Sequence, residues 1–138
     1  MRRTVLSATV LVAAGALALP SAAAPPKPIT KTYTVTAAPS GIGLAIYCNG
    51  FPTPTDKHSE PFKAPAKGTL KVKISGHVGD WDGLLLDAAG ERIAEAATMG
   101  AGDEAYTYKF KKAADVTLMT CNVIGGPTTT VTYTFTFS

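Results

Sequence analysis

The chain has 138 residues, 46% hydrophobic and 17% charged, with 13 glycines, 10 prolines, two cysteines and one tryptophan. That length allows one domain, and the low charge fraction excludes a disordered polyelectrolyte. The formal charge is +3 and falls to +1 without Arg2 and Arg3, which leaves no overall electrostatic footprint for nucleic acid or an anionic membrane.

Residues 1–23 read as a secretory signal peptide. Arg2 and Arg3 form the basic start, and Thr4 to Leu19 is a nearly unbroken apolar run. Pro20 ends it, and Ser21-Ala22-Ala23 offers small residues for cleavage after Ala23. The run is 16 residues, shorter than the roughly 20 that cross a bilayer. Export by the general secretory route is favoured over the twin-arginine route, whose shape Arg2-Arg3-Thr4-Val5-Leu6 shares, and an extracellular location with no stable membrane insertion after cleavage is expected. Residues 24–30 then form a Pro-rich leader that favours polyproline II.

Export gives the cysteines a meaning. Outside the cytosol, Cys48 and Cys121 are most simply a disulfide. Two cysteines cannot by themselves supply a four-ligand zinc site, and there is no CxxC.

From residue 31 onward the hydrophobic period is two. Lys31 to Thr36 alternates around Tyr33 and Val35. Cys48 to Pro65 holds Pro52, Pro54, Pro61 and Pro65, and is expected to be one long loop tied at its base by Cys48. Thr69 to Ser75 sends Leu70, Val72 and Ile74 one way and Lys71 and Lys73 the other. Leu84-Leu85-Leu86 is denser and more central, and Ala88 to Glu91 links it to a strand over Arg92 to Ala97. Tyr106, Tyr108 and Phe110 alternate with polar or small residues. Val116 to Val123 is a second dense run, and Val131, Tyr133, Phe135 and Phe137 alternate with threonines. Turn residues separate these runs at about ten-residue spacing, the mark of a sandwich or barrel. The expected fold of residues 31–138 is all-β: an antiparallel, jelly-roll-like β-sandwich of about eight strands with one disulfide.

The segments Pro61-Phe62-Lys63-Ala64-Pro65, Gly68-Thr69-Leu70-Lys71-Val72, Gly79-Asp80-Trp81-Asp82 and Leu86-Asp87-Ala88-Ala89-Gly90 carry a resemblance. Together with Cys121 to Pro127 and Val131 to Phe135, the chain resembles the bacterial pre-peptidase C-terminal (PPC) domain, in its small actinobacterial single-domain form. The resemblance implies a secreted β-sandwich with a Gly-x-Leu-x-Val strand, an Asp-x-Asp turn and an Asp-x-x-Gly hairpin. It also implies an accessory or adhesion role beside secreted hydrolases, in some members with calcium.

The Asp80-Trp81-Asp82 segment is the most informative constellation. Trp81 packed inward is a core plug; held outward, it offers a flat face to a sugar ring or a partner side chain. Asp80, Asp82 and Asp87 could supply oxygens to calcium, or could accept backbone N–H bonds in turns. His58 and His77 lack zinc spacing. Glu60, Glu91, Glu95 and Glu104 include no pair that marks a glycosidase. Gly41-Ile42-Gly43 is no nucleotide loop, and a Gly-x-Ser-x-Gly elbow is absent from the sequence. Lys67, Lys71 and Lys73, and Lys109, Lys111 and Lys112, read as solvated faces or as a surface for an anionic polymer. The expected function is a secreted, non-catalytic binding or accessory domain without an obligatory cofactor. Its partner would be an extracellular polysaccharide or protein, met by Trp81, Asp80 and Asp82. A protease inhibitor presenting the Cys48–Pro65 loop and a small hydrolase are the alternatives.

Overall fold

The computed structural model describes residues 24–40, 48 and 56–138. The signal-peptide reading of residues 1–23 falls outside them. Eight strands and no helix occur among the described residues: β1 (Ile29–Thr36), β2 (Lys57–Ala64), β3 (Gly68–Ser75), β4 (Gly79–Asp87), β5 (Arg92–Ala96), β6 (Glu104–Phe110), β7 (Ala114–Gly125) and β8 (Thr128–Phe137).

They form two four-stranded sheets, ordered β1-β8-β3-β6 and β2-β7-β4-β5. Every pairing is antiparallel. The first strand thus pairs with the last, the second with the seventh, the third with the sixth and the fourth with the fifth. This is a jelly roll, two sheets wound from one folded ribbon of paired strands.

The alternating residues bury one face of each sheet against the other. Leu70, Val72 and Ile74 of β3 meet Val131, Tyr133 and Phe135 of β8 within one sheet. Phe62, Val116, Leu118 and Leu85 close over them from the second sheet. Phe62 packs edge-on against Tyr133 at 5.2 Å and tilts toward Phe135 at 5.9 Å, so aromatic rings join the two layers. Gly83 lets the sheets approach closely: a Cβ there would lie 2.5 Å from Ile74 Cδ1.

The second sheet also buries part of its outer face. Leu84 and Leu86 point away from the core and cluster with Cys48, Cys121 and Met119. The Cys48–Cys121 disulfide sits in that cluster with its Cα atoms 5.6 Å apart. It pins residue 48 against β7 from outside the sandwich.

Two expectations need correction. The Cys48–Pro65 segment is not one loop, because β2 occupies Lys57–Ala64. Pro61 is tolerated there since β2 is an edge strand, where one row of N–H groups has no ladder partner. The sandwich also begins at Ile29, within the expected leader, because Ile29 and Thr30 already pair with Phe135 and Thr134.

Candidate functional site

The Asp80-Trp81-Asp82 segment is strand, not turn. The chain reverses at residues 76–78, with left-handed φ values of 71° at Gly76 and 95° at Gly79, and β4 starts at Gly79. Trp81 is 0% exposed and belongs to the core between the sheets. It therefore presents no flat face to a ligand, and the outward reading of Trp81 is corrected to a core plug. Asp80 and Asp82 are 9% and 4% exposed. The β4–β7 register slips between Asp80 and Trp81, so simple alternation fails at that point.

Burial raises the Asp82 carboxyl to about 7, helped by the charges of Asp80, Glu104 and Glu95. Burial also raises Glu104, with Asp80 acting in the same direction. Asp87 stands at the other end of β4, five and seven residues from Asp82 and Asp80. The rise of an extended strand puts it roughly 17–24 Å from them. Its Oδ1 accepts the backbone N–H groups of Ala89 and Glu91, both at 2.9 Å, which closes the β4–β5 hairpin. The expected calcium triad is thus not assembled, and among the described residues no three His, Cys, Asp or Glu side chains are grouped to hold a metal ion.

The other expected groups are also dispersed. His77 lies at the end where β3 meets β4, its ring nitrogens 3.1 Å from Thr129 Oγ1 and from the Gly102 carbonyl. His58 lies on β2 with its ring 5.8 Å from Tyr33. Glu60 pairs with Lys31 across the open edge between β1 and β2. Glu91 and Glu95 lie in or beside the β4–β5 hairpin, and Glu104 Oε1 accepts the Thr98 N–H at 3.1 Å.

A different surface is built from repetition. On the solvent face of the β1-β8-β3-β6 sheet the side chains stand in rows across the strands. One row is Thr30, Thr134, Lys71 and Thr107; the next is Thr32, Thr132, Lys73 and Ala105. Thr136, Thr69 and Lys109 flank the first row, and Thr34, Thr130 and Ser75 flank the second. Thr36 and Thr128 complete the face at one corner. Neighbours within a row are about 4.8 Å apart and rows about 6.8 Å apart, by the geometry of paired strands. The outward positions of the four strands thus carry hydroxyls, three lysines and Ala105, and none carries a carboxylate or an aromatic ring.

The hydroxyls are partly organised already. Thr30 and Thr134 hydrogen-bond through their Oγ1 atoms at 3.1 Å, and Thr32 and Thr132 at 3.0 Å. Lys73 is held by Asp103 at 2.8 Å. Among the described residues Lys71 and Lys109 have no carboxylate partner. An open depression of about 460 Å³ lies between the β8 threonines and β6, lined by Lys71, Lys73, Thr107, Thr132, Thr134 and Thr136. Ala105 leaves room for it beside Lys73. Lys67, Lys111 and Lys112 stand in the turns at the end where β3 begins and β6 finishes, so positive charge continues past the sheet edge.

The sequence pattern alone identifies the wet faces of β1, β3, β6 and β8 separately. It does not show that they form one surface. That requires β1 to lie beside β8, although Thr30 and Thr134 are 104 residues apart. The available signal was threonine at every second position of both strands. No protein-family model matches the chain, and no curated protein matches it.

Proposed function

We propose that the protein is a secreted, non-catalytic binding domain that holds an extracellular polymer on the outer face of the β1-β8-β3-β6 sheet. The observation that carries this reading is the set of cross-strand rows of threonine and lysine, unbroken among the described residues by any carboxylate or large apolar side chain. Hydroxyls on a stiff sheet can both donate to and accept from a hydroxyl-rich chain, and repeated weak contacts along one polymer add through effective concentration. The Cys48–Cys121 disulfide accords with an oxidising compartment. So does the apolar start of the sequence, which supports export. The PPC-like motifs support the same accessory role.

The test is retention of the disulfide-intact domain on insoluble polysaccharides, cell-wall material and collagen. The comparison is the Thr132→Val/Thr134→Val variant, which removes two hydroxyls while keeping shape and strand preference. Saturable retention on a polysaccharide, weakened several-fold in the variant, is expected. Retention on none of the polymers sinks the reading, and retention untouched by the variant moves the site off this sheet.

A further inference from the structure

We infer that the polymer held on this face is an acidic polysaccharide, a linear chain carrying carboxylates as well as hydroxyls. The inference rests on the polymer-binding reading and adds the ligand's charge.

Charge complementarity carries it. The chain as a whole is nearly neutral once Arg2 and Arg3 are set aside, yet this one face is positive. Among the described residues Lys71, Lys73 and Lys109 are the charged side chains at its outward strand positions, and Asp103 at its margin offsets Lys73. Strand geometry places Lys71 and Lys73 about 6.8 Å apart along β3. Lys109 lies across from Thr69, one row from Lys71. Each lysine is flanked by hydroxyls: Lys71 by Thr134 and Thr107, Lys73 by Thr132, and Lys109 by Thr69. Ammonium groups set among hydroxyls match a chain on which carboxylates are set among hydroxyls.

The same face argues against other polyanions and against neutral glycans. A nucleic acid strand gains much of its affinity by stacking bases on aromatic rings, and all the aromatic residues of these four strands sit at inward positions. A polymer of phosphates alone would leave the threonine rows unused. A neutral glycan would leave Lys71 and Lys109 unpaired and gain nothing from the absence of carboxylates. Exposed ion pairs are individually weak, so binding is multivalent and screened by salt beyond a Debye length of about 8 Å at physiological ionic strength.

Affinity electrophoresis of the disulfide-intact domain tests the inference. The gels would contain polygalacturonate, its fully methyl-esterified form or inorganic polyphosphate. The domain is expected to be retarded by polygalacturonate, and about tenfold less by the esterified chain or in high salt. Lys71→Glu/Lys109→Glu should abolish the retardation, while Lys27→Glu/Lys63→Glu, equal in charge but off this face, should not. Equal retardation by the esterified chain, or no effect of Lys71→Glu/Lys109→Glu, overturns the acidic ligand and leaves polymer binding standing. Polyphosphate retarding the domain as strongly as polygalacturonate also overturns it, because the face would then be only a cation exchanger. No retardation by polygalacturonate overturns it as well; the insoluble-polymer panel then decides separately whether the wider reading survives.

Discussion

Gly79 and Gly125 face each other where β4 meets β7, and each occupies the space the other's side chain would need. Both take left-handed φ, 95° and 126°. A Cβ on Gly79 would lie 2.0 Å from the Ile124 carbonyl oxygen, and one on Gly125 would lie 2.2 Å from the Val78 carbonyl oxygen. Those contacts are with backbone, which cannot swing aside as a flexible side chain can. The pair sits at the turn that starts β4, two residues before Trp81.

Gly79→Ala and Gly125→Ala should each destabilise the domain by about 2–4 kcal/mol, from left-handed strain plus backbone clash. Gly102→Ala is the control, because nothing lies within 4 Å of its Cβ position and restricting the unfolded chain there is neutral or mildly stabilising. Urea unfolding of the three variants checks this. Equal midpoints for Gly79→Ala and Gly102→Ala would contradict the paired-glycine argument.

Trp81 should behave as a core residue in every assay. Trp81→Ala removes a fully buried ring and is expected to cost about 3–5 kcal/mol. Trp81→Phe should cost less than its lost volume suggests, because Trp81 Nε1 is buried without a hydrogen-bond partner among the described residues. As the only tryptophan of the chain, it reports cleanly by fluorescence, with blue-shifted emission when folded and red-shifted emission in denaturant. A red-shifted, readily quenched native spectrum would place the ring in solvent and restore it as a contact candidate.

These outcomes bear on what the sequence could reveal. Lys71 and Lys73 alternating with Leu70, Val72 and Ile74 identify β3 and both its faces, because a half-buried strand writes its orientation every second residue. The same holds for the threonines of β8. Lys57–Ala64 was hidden because Pro61 reads as a breaker until β2 is known to be an edge strand. Trp81 was ambiguous for a related reason. The Gly76–Gly79 reversal and the slip after Asp80 reset the parity, so counting from Ile74 could not settle its direction. The candidate face was written in four separate pieces, and only the pairing of first strand with last joins them.

The disulfide should stabilise without organising the core. Cys48 and Cys121 are 73 residues apart, and the chain-entropy model gives about 4 kcal/mol for a loop of that length. Cys121 lies on the outer side of β7, while Val116 and Leu118 face the inter-sheet core. The Cys48→Ser/Cys121→Ser variant should therefore unfold at lower denaturant while keeping the native fluorescence of Trp81 in buffer. A variant that loses the blue-shifted emission without denaturant would show that the outer cluster is needed to assemble the sheets.

The buried carboxyl of Asp82 sets the direction of the pH dependence. Its pKa is about 7 in the folded chain, against about 3.9 when unfolded. The fold therefore holds that proton more tightly than the unfolded chain does. The associated stability is fully present below about pH 4 and is lost as pH rises through about 7. Glu104, also raised by burial, acts in the same sense. The domain should melt at a lower temperature at pH 8.5 than at pH 5. Asp82→Asn removes the ionisable group, so it should raise the melting temperature at pH 8.5 and flatten the profile, with a smaller effect at pH 5. Thermal melts of both proteins across that range provide the check. A native profile that rises toward pH 8.5, or an Asp82→Asn profile parallel to it, would show that Asp82 does not hold its proton in the folded state.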